Sequence, residues 1–131
     1  MTQEQKELLL KDLCARLPYG VKCNVGDNKP YTLSRIEIDD NNGHLLDFIE
    51  MKNGLDMQVY LSEVKPYLFP MSSMTDEQTE ELIKLINTGQ NDNNEFMRSL
   101  CRIEFYHKHH IDYRGLIPMG IAIDATNLNI Y

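Results

Sequence analysis

The chain has no tryptophan, and its three cysteines, Cys14, Cys23 and Cys101, are widely spaced with no CxxC pair. That odd, scattered set excludes a disulfide framework and a zinc knuckle, and predicts three reduced core thiols in a cytoplasmic protein. The opening Met1-Thr2-Gln3-Glu4-Gln5 has neither the basic region nor the apolar run of a secretory signal. No stretch approaches the ~20 apolar residues that span a bilayer, so no membrane partner is expected. The short fingerprints of common chemistries are missing too: GxSxG, GxxxxGK, GxGxxG and HExxH. No motif therefore names a reaction or implies a cofactor, and the reading leans away from an enzyme.

Basic charge is also scarce. Thirteen Lys and Arg face twenty Asp and Glu, a net charge of −7. Residues 27–94 carry thirteen acidic side chains against five basic ones, whereas residues 95–131 balance four against four. An acidic middle repels phosphate backbones, which counts against sequence-independent nucleic-acid binding. Three of the four histidines lie in the neutral last part.

What is present is one domain's worth of chain, residues 1–131, with the 42% hydrophobic and 25% charged content of an ordinary globular protein. A helix opens it. Thr2 and Gln5 have capping-box spacing, and Leu9, Leu10, Leu13, Cys14 and Leu17 recur at helical intervals. Lys6, Glu7, Lys11, Asp12 and Arg16 are expected on the solvent side, and Pro18-Tyr19-Gly20 stops the helix.

A four-stranded antiparallel meander follows. Val21, Cys23 and Val25 alternate with polar residues, and a second strand covers about residues 31–38 with a phase slip that a bulge near Ser34-Arg35 repairs. Asn42-Gly43 and Asn53-Gly54 are hairpin dipeptides flanked by strands over residues 45–49 and 55–61. Such short, bulged strands admit closure into a small SH3-like half-barrel. Asp39-Asp40-Asn41-Asn42-Gly43 looks like a calcium loop, but aligning its glycine with the EF-hand puts Ile38 and Ile49 where carboxylates are needed. It reads as a turn.

Residues 64–75, Val-Lys-Pro-Tyr-Leu-Phe-Pro-Met-Ser-Ser-Met-Thr, divide a strand-rich half from a helical half. Pro66 and Pro70, four residues apart, forbid a regular helix or a central strand, because neither donates a backbone N–H. Tyr67, Leu68 and Phe69 are too apolar for a solvated linker, so a segment crossing the core is expected. Thr75 and Gln78 then repeat the capping-box spacing, with Thr79, Leu82, Ile83 and Ile86 as a buried stripe ending at Gly89. Asp92 and Glu95 open a second helix to about His109, making a C-terminal helical hairpin. The fold class is α+β, and Gly120–Ala125 is a candidate last strand.

The last helix and its exit hold the chemically suggestive residues. At about 100° per residue, Phe96, Leu100, Ile103 and His107 share an arc of roughly 60°. Glu104, His107 and His110 suggest a metal-dependent enzyme, on the model of the Glu-x-x-His ligands of di-iron bundles, which need two such motifs where one is present. The alternative makes His107 a buried, hydrogen-bonded histidine. Cys101 and His107 lie about 120° apart on the helix and do not form a nucleophile pair. A nucleic-acid reading uses Arg98, Arg102, Lys108, His109 and Arg114. A protein-interaction reading uses Tyr67, Phe69, Arg102, Tyr106, His109, Tyr113 and Arg114, residue types that anchor interfaces. The last helix is apolar over more than half its circumference, so it is either central in its domain or shared with a second subunit in a homodimer.

Three blocks carry a resemblance: Lys11-Asp12-Leu13-Cys14-Ala15-Arg16-Leu17-Pro18-Tyr19-Gly20-Val21, residues 64–75, and His109-His110-Ile111-Asp112-Tyr113-Arg114-Gly115-Leu116-Ile117. Together they resemble a family of short uncharacterised proteins encoded by gut Bacteroidales and by their phages and mobile elements. The resemblance implies a bacterial or phage cytoplasmic setting and transfers no catalytic residue. The expectation is a non-catalytic interaction protein, an accessory factor of a phage or mobile element.

Overall fold

A computed structural model describes residues 1–39, 46–52, 56–88 and 95–131. Helix α1 covers Gln3–Arg16 and starts as its sequence dictates: the Gln5 N–H donates to Thr2 Oγ1 at 3.1 Å, and the Thr2 N–H donates to Gln5 Oε1 at 3.0 Å. Pro18 lies in a 3-10 turn over Leu17–Tyr19, and Gly20 closes it at φ +69°, in the left-handed region that a Cβ disfavours. Strands β1 (Lys22–Asn24), β2 (Tyr31–Asp39), β3 (Leu46–Lys52) and β4 (Asp56–Tyr60) follow, each antiparallel to the next. The β2–β3 register shifts between Leu33 and Arg35, where the slipped alternation called for a bulge.

The segment over residues 64–75 is where the structure departs from expectation. Lys65–Pro70 forms β5, a central strand, and the sheet is mixed rather than wholly antiparallel. Its order is β4-β3-β2-β1-β5-β6, where β6 is Ile111–Asp112, and β7 (Ile123–Asp124) also pairs with β5. β5 runs antiparallel to β1 and parallel to β6 and β7. Pro70 is the last residue of the strand and Pro66 the second, so both stand at or next to its ends, Pro66 opposite Cys23 and Pro70 opposite Asp112. Between them the backbone bonds to neighbours at both edges: the Phe69 N–H donates to the His110 carbonyl and the Leu68 carbonyl accepts from the Ala125 N–H, both at 2.8 Å. Adjacent residues of a strand point these groups to opposite edges, so β6 and β7 flank different sides of β5. Cover on both faces explains a near-continuous apolar run with Pro66, Tyr67 and Leu68 all buried.

Helices α2 (Asp76–Thr88) and α3 (Glu95–Lys108) pack against one another. The Thr75–Gln78 box is made, at 3.1 Å in both directions. The Asn42-Gly43 and Asn53-Gly54 turns, the loop over residues 40–43, Gly89 and the Asp92 cap lie outside the described residues.

One apolar cluster draws on both halves of the chain: Leu9 and Leu13 of α1, Val21 and Cys23 of β1, Leu33, Leu61, Val64, Leu68 of β5, and Leu116, Ile121 and Ala122 of the tail. Two expected faces are wrong. On α1, Asp12 and Arg16 are 0% exposed while Cys14 is exposed, so the thiols are not all in the core. On α2, Leu82 is buried but Ile83 is 52% exposed and Thr79 is also exposed.

Leu68, 0% exposed at the middle of β5, gives the architecture a direct test. Leu68→Ala should lower the unfolding free energy in urea by about 2–5 kcal/mol. Met71→Ala, at a residue 47% exposed just past the strand, should stay within about 0.5 kcal/mol of the parent.

Candidate functional site

The C-terminal ends of α1 and α3 meet at a polar corner. Asp12 and Arg16 are four apart and so lie on one face of α1; Arg16 Nε donates to Asp12 Oδ2 at 2.8 Å, with both side chains 0% exposed. The rest of the Arg16 guanidinium leaves the helix. Nη2 donates to the Ile111 carbonyl at 2.6 Å, and Nη1 donates to the Tyr106 carbonyl, in the last turn of α3, at 3.3 Å. A cation is favoured there, because the final carbonyls of a helix lack intrahelical partners and carry its negative dipole end. Arg114 Nε donates to Asp12 Oδ1 at 3.2 Å, so one carboxylate sits between two guanidiniums.

Those two guanidiniums also lie near the Tyr113 ring, at 5.6 Å (Arg16) and 4.9 Å (Arg114) from its centroid. Tyr106 stacks on the same ring at 5.5 Å, and the Tyr113 hydroxyl is 2.7 Å from His107 Nε2. His107 is 7% exposed, and burial, reinforced by the Arg16 charge, lowers its pKa from the ordinary value. Asp112 accepts from the Leu116 and Ile117 N–H groups at 2.8 and 2.9 Å and so fixes the turn that follows β6.

His110 sits just past α3 at φ +58° and is 8% exposed. Its ring stacks on Tyr131 with centroids 3.8 Å apart and planes at 11°, and its Nδ1 has no hydrogen-bond partner among the described residues. Burial, then the charges of Arg16, His109 and Lys22, push its pKa down to about 4. Tyr131 is anchored in turn: its hydroxyl donates to the Tyr67 carbonyl at 2.7 Å and accepts from the Lys22 N–H at 2.9 Å.

This geometry places the candidate residues. Glu104 is exposed on α3, His107 is turned to Tyr113 and His110 to Tyr131, so the three do not converge on a common point. Among the described residues, no three His, Cys, Asp or Glu side chains come together as a metal site would require. The basic residues all face carboxylates: Arg98 and Arg102 lie 3.9 and 3.6 Å from Glu95, Lys108 and His109 each 3.7 Å from Glu81, and Arg114 on Asp12. Locally neutralised cations release few counterions from a phosphate backbone. Among the described residues, no His, Cys, Asp or Glu lines the three shallow clefts of about 200, 280 and 320 Å³.

Of the interaction candidates, Tyr67 is 3% exposed and accepts from Asn24 Nδ2 at 2.9 Å, so it serves the interior. Phe69 packs against Tyr131 and His109 against Phe105, while Tyr106, Tyr113 and Arg114 are half-buried in the corner. Arg102 is half-exposed beside Glu95. The exposed apolar side chains lie elsewhere on α3: Phe96 at 66%, and Met97, Leu100 and Ile103 at 37% each. The arc of Phe96, Leu100 and Ile103 faces outward for most of the helix, and only His107, at its end, is covered. Phe105, on the opposite side, is the buried anchor at 2%. No family model, no curated protein and no solved structure matches the chain.

Asp12→Ala strands two guanidiniums, one of them fully buried, and should cost about 3–5 kcal/mol in urea unfolding. Glu37→Ala removes the exposed partner of Arg35, whose side chain is 50% accessible, and should cost less than about 1 kcal/mol. A pH dependence follows from His110. With a folded pKa of about 4 against an ordinary 6.5, the unfolded chain takes up a proton first. Its contribution to stability is therefore full above about pH 6.5, falls as pH drops from there, and levels off below about 4. Asn tolerates the left-handed backbone that His110 adopts, so His110→Asn should keep the fold and flatten this part of the curve, read as the wild-type-minus-variant urea midpoint across that range.

Proposed function

We propose that the protein is a non-catalytic interaction protein and that the outward face of α3 is its docking surface. The observation that carries this reading is the exposure of Phe96, Met97, Leu100 and Ile103 on one side of a 14-residue helix. A helix face of that kind in water is a recognised mark of an interaction site, since contiguous exposed apolar side chains are costly to leave wet. The residues best suited to chemistry are engaged in holding the fold: Asp12 between two arginines, His107 on Tyr113 and Asp112 on two backbone N–H groups. Their pairing favours the interaction reading over an enzyme centred on Glu104, His107 and His110. Among the described residues, no helix is long and apolar enough to cross a membrane. The role of accessory factor in a phage or mobile element rests on the resemblance of the three sequence blocks alone.

Affinity capture from the native host tests the reading. The wild-type chain and a Leu100→Glu/Ile103→Glu variant of unchanged thermal stability serve as paired baits. A protein retained by the first and lost from the second is the expected result, with retention falling on the order of tenfold or more. Identical captures on both baits would remove α3 as the docking surface.

A further inference from the structure

We infer that β1 and β5 part at Lys22 and Tyr67 to leave a receptor slot for a neutral para-substituted phenol, which this chain fills with its own Tyr131. The ladder between the two strands carries the inference. Asn24 pairs with Lys65 and Cys23 with Pro66, so Lys22 and Tyr67 come next in register. The Val21 carbonyl accepts from the Leu33 N–H of β2, and Lys22, one residue on, therefore turns its N–H toward β5. A hydroxyl stands where the next rung would be. The Tyr131 hydroxyl accepts from the Lys22 N–H at 2.9 Å and donates to the Tyr67 carbonyl at 2.7 Å. One main-chain donor and one main-chain acceptor thus grip a single O–H. A phenyl ring leaves both unpaired, and a phenolate cannot donate. Burial raises the pKa of the Tyr131 hydroxyl above its ordinary value, in keeping with a slot for the neutral form.

The ring is boxed as well. Tyr67 and Phe69 are two apart and address the same edge of β5, and the Phe69 N–H takes the His110 carbonyl, which brings His110 beside the slot. The His110 ring stacks on Tyr131, the Phe69 ring is 5.8 Å away, and Lys22 Nζ lies 5.8 Å from the Tyr131 centroid. Tyr131 nevertheless keeps 43% exposure, so the slot opens to water and the ring can leave without unfolding the core. Little else holds the strap over residues 126–131. Thr126 and Leu128 bond back to Asp124 and Ala125. Among the described residues, the other hydrogen bond across the chain is from Lys22 Nζ to the Ile130 carbonyl, at 2.9 Å. Leu128 and Ile130 roof the space beneath them without filling it, because a cleft of about 320 Å³ remains against Asn24, Asn28 and Tyr67. Once the strap lifts, there is room for a ligand larger than a tyrosine side chain.

Tyr131→Ala in the full chain empties the slot, and p-cresol is the probe. The expected result is saturable binding that raises the variant's melting temperature and shifts the His110 ring proton resonances. Toluene, which has no oxygen, and 4-methylanisole, which cannot donate, should bind on the order of tenfold more weakly. N-acetyltyrosinamide bound as tightly as p-cresol makes the source of the phenol a peptide tyrosine; p-cresol bound alone makes it a free phenol. If the alanine variant does not fold, Tyr131→Phe keeps the ring and removes only the oxygen. p-Cresol should then release the strap, read as Leu128 and Ile130 methyl resonances moving to unfolded-chain values. It should do so at roughly a tenth of the concentration that the wild-type chain requires, where a tethered phenol competes at an effective concentration on the order of millimolar. Toluene matching p-cresol, p-cresol leaving the His110 resonances unmoved, or equal concentrations on Tyr131→Phe and wild type would overturn the inference.

Discussion

A guanidinium with no access to water governs much of this molecule. The Arg16 guanidinium carries five N–H donors and no acceptor, so a fully buried position demands acceptors for its nitrogens. The chain supplies one carboxylate from the same helix and two carbonyls from residues 106 and 111, about ninety positions later. Those carbonyls belong to the end of α3 and the start of β6. The first helix is thereby tied to the point where the last helix turns back into the sheet, and β6 is tied to β5 through the Phe69–His110 hydrogen bond.

Around that tie the other polar groups have settled roles. Asp12 also serves Arg114, and both guanidiniums lie near the Tyr113 ring. Tyr113 in turn meets His107, whose burial and cationic neighbours favour the neutral ring. Neutrality is what such a setting needs, because a third positive charge beside Arg16 and Arg114 would have no carboxylate left to face. The left-handed backbone at His110 lets the chain leave α3 abruptly enough to pair with β5, and stacking on Tyr131 covers its ring. A cluster that on sequence alone suggests catalysis is thus a junction that closes the fold.

The features legible in the sequence are those decided within a few residues. Both capping boxes, the slipped register at Leu33–Arg35, the stop at Pro18–Gly20 and the order of strands and helices need only local geometry. The features that were not legible depend on what packs from a distance. Pro66 and Pro70 argue against a central strand unless it is known that they fall at or next to its two ends. Asp12 and Arg16 look like a solvated pair because their burial is set by carbonyls and an arginine from the far end of the chain. His107 is a buried, bonded histidine, yet the arc it shares on the α3 wheel faces outward; its burial comes from the corner beyond the helix, where its partner Tyr113 lies.

The same limit applies to α3 with the opposite sign. Periodicity identified the arc of Phe96, Leu100 and Ile103 correctly as apolar, yet an apolar arc states only that water is disfavoured there, not which surface replaces it. Within the chain, α3 turns the other way, burying Phe105 and half-burying Cys101, Arg98 and Arg102. That orientation follows from the Arg16 tie: Tyr106 must offer its carbonyl to α1, and His107 must reach Tyr113. Once the end of the helix is fixed in rotation, its earlier turns have no freedom to bring the apolar arc inward. Exposure of the stripe is therefore a consequence of the polar junction. The chain keeps its long-range closure at the cost of a wet face, and a partner on that face would recover the lost burial.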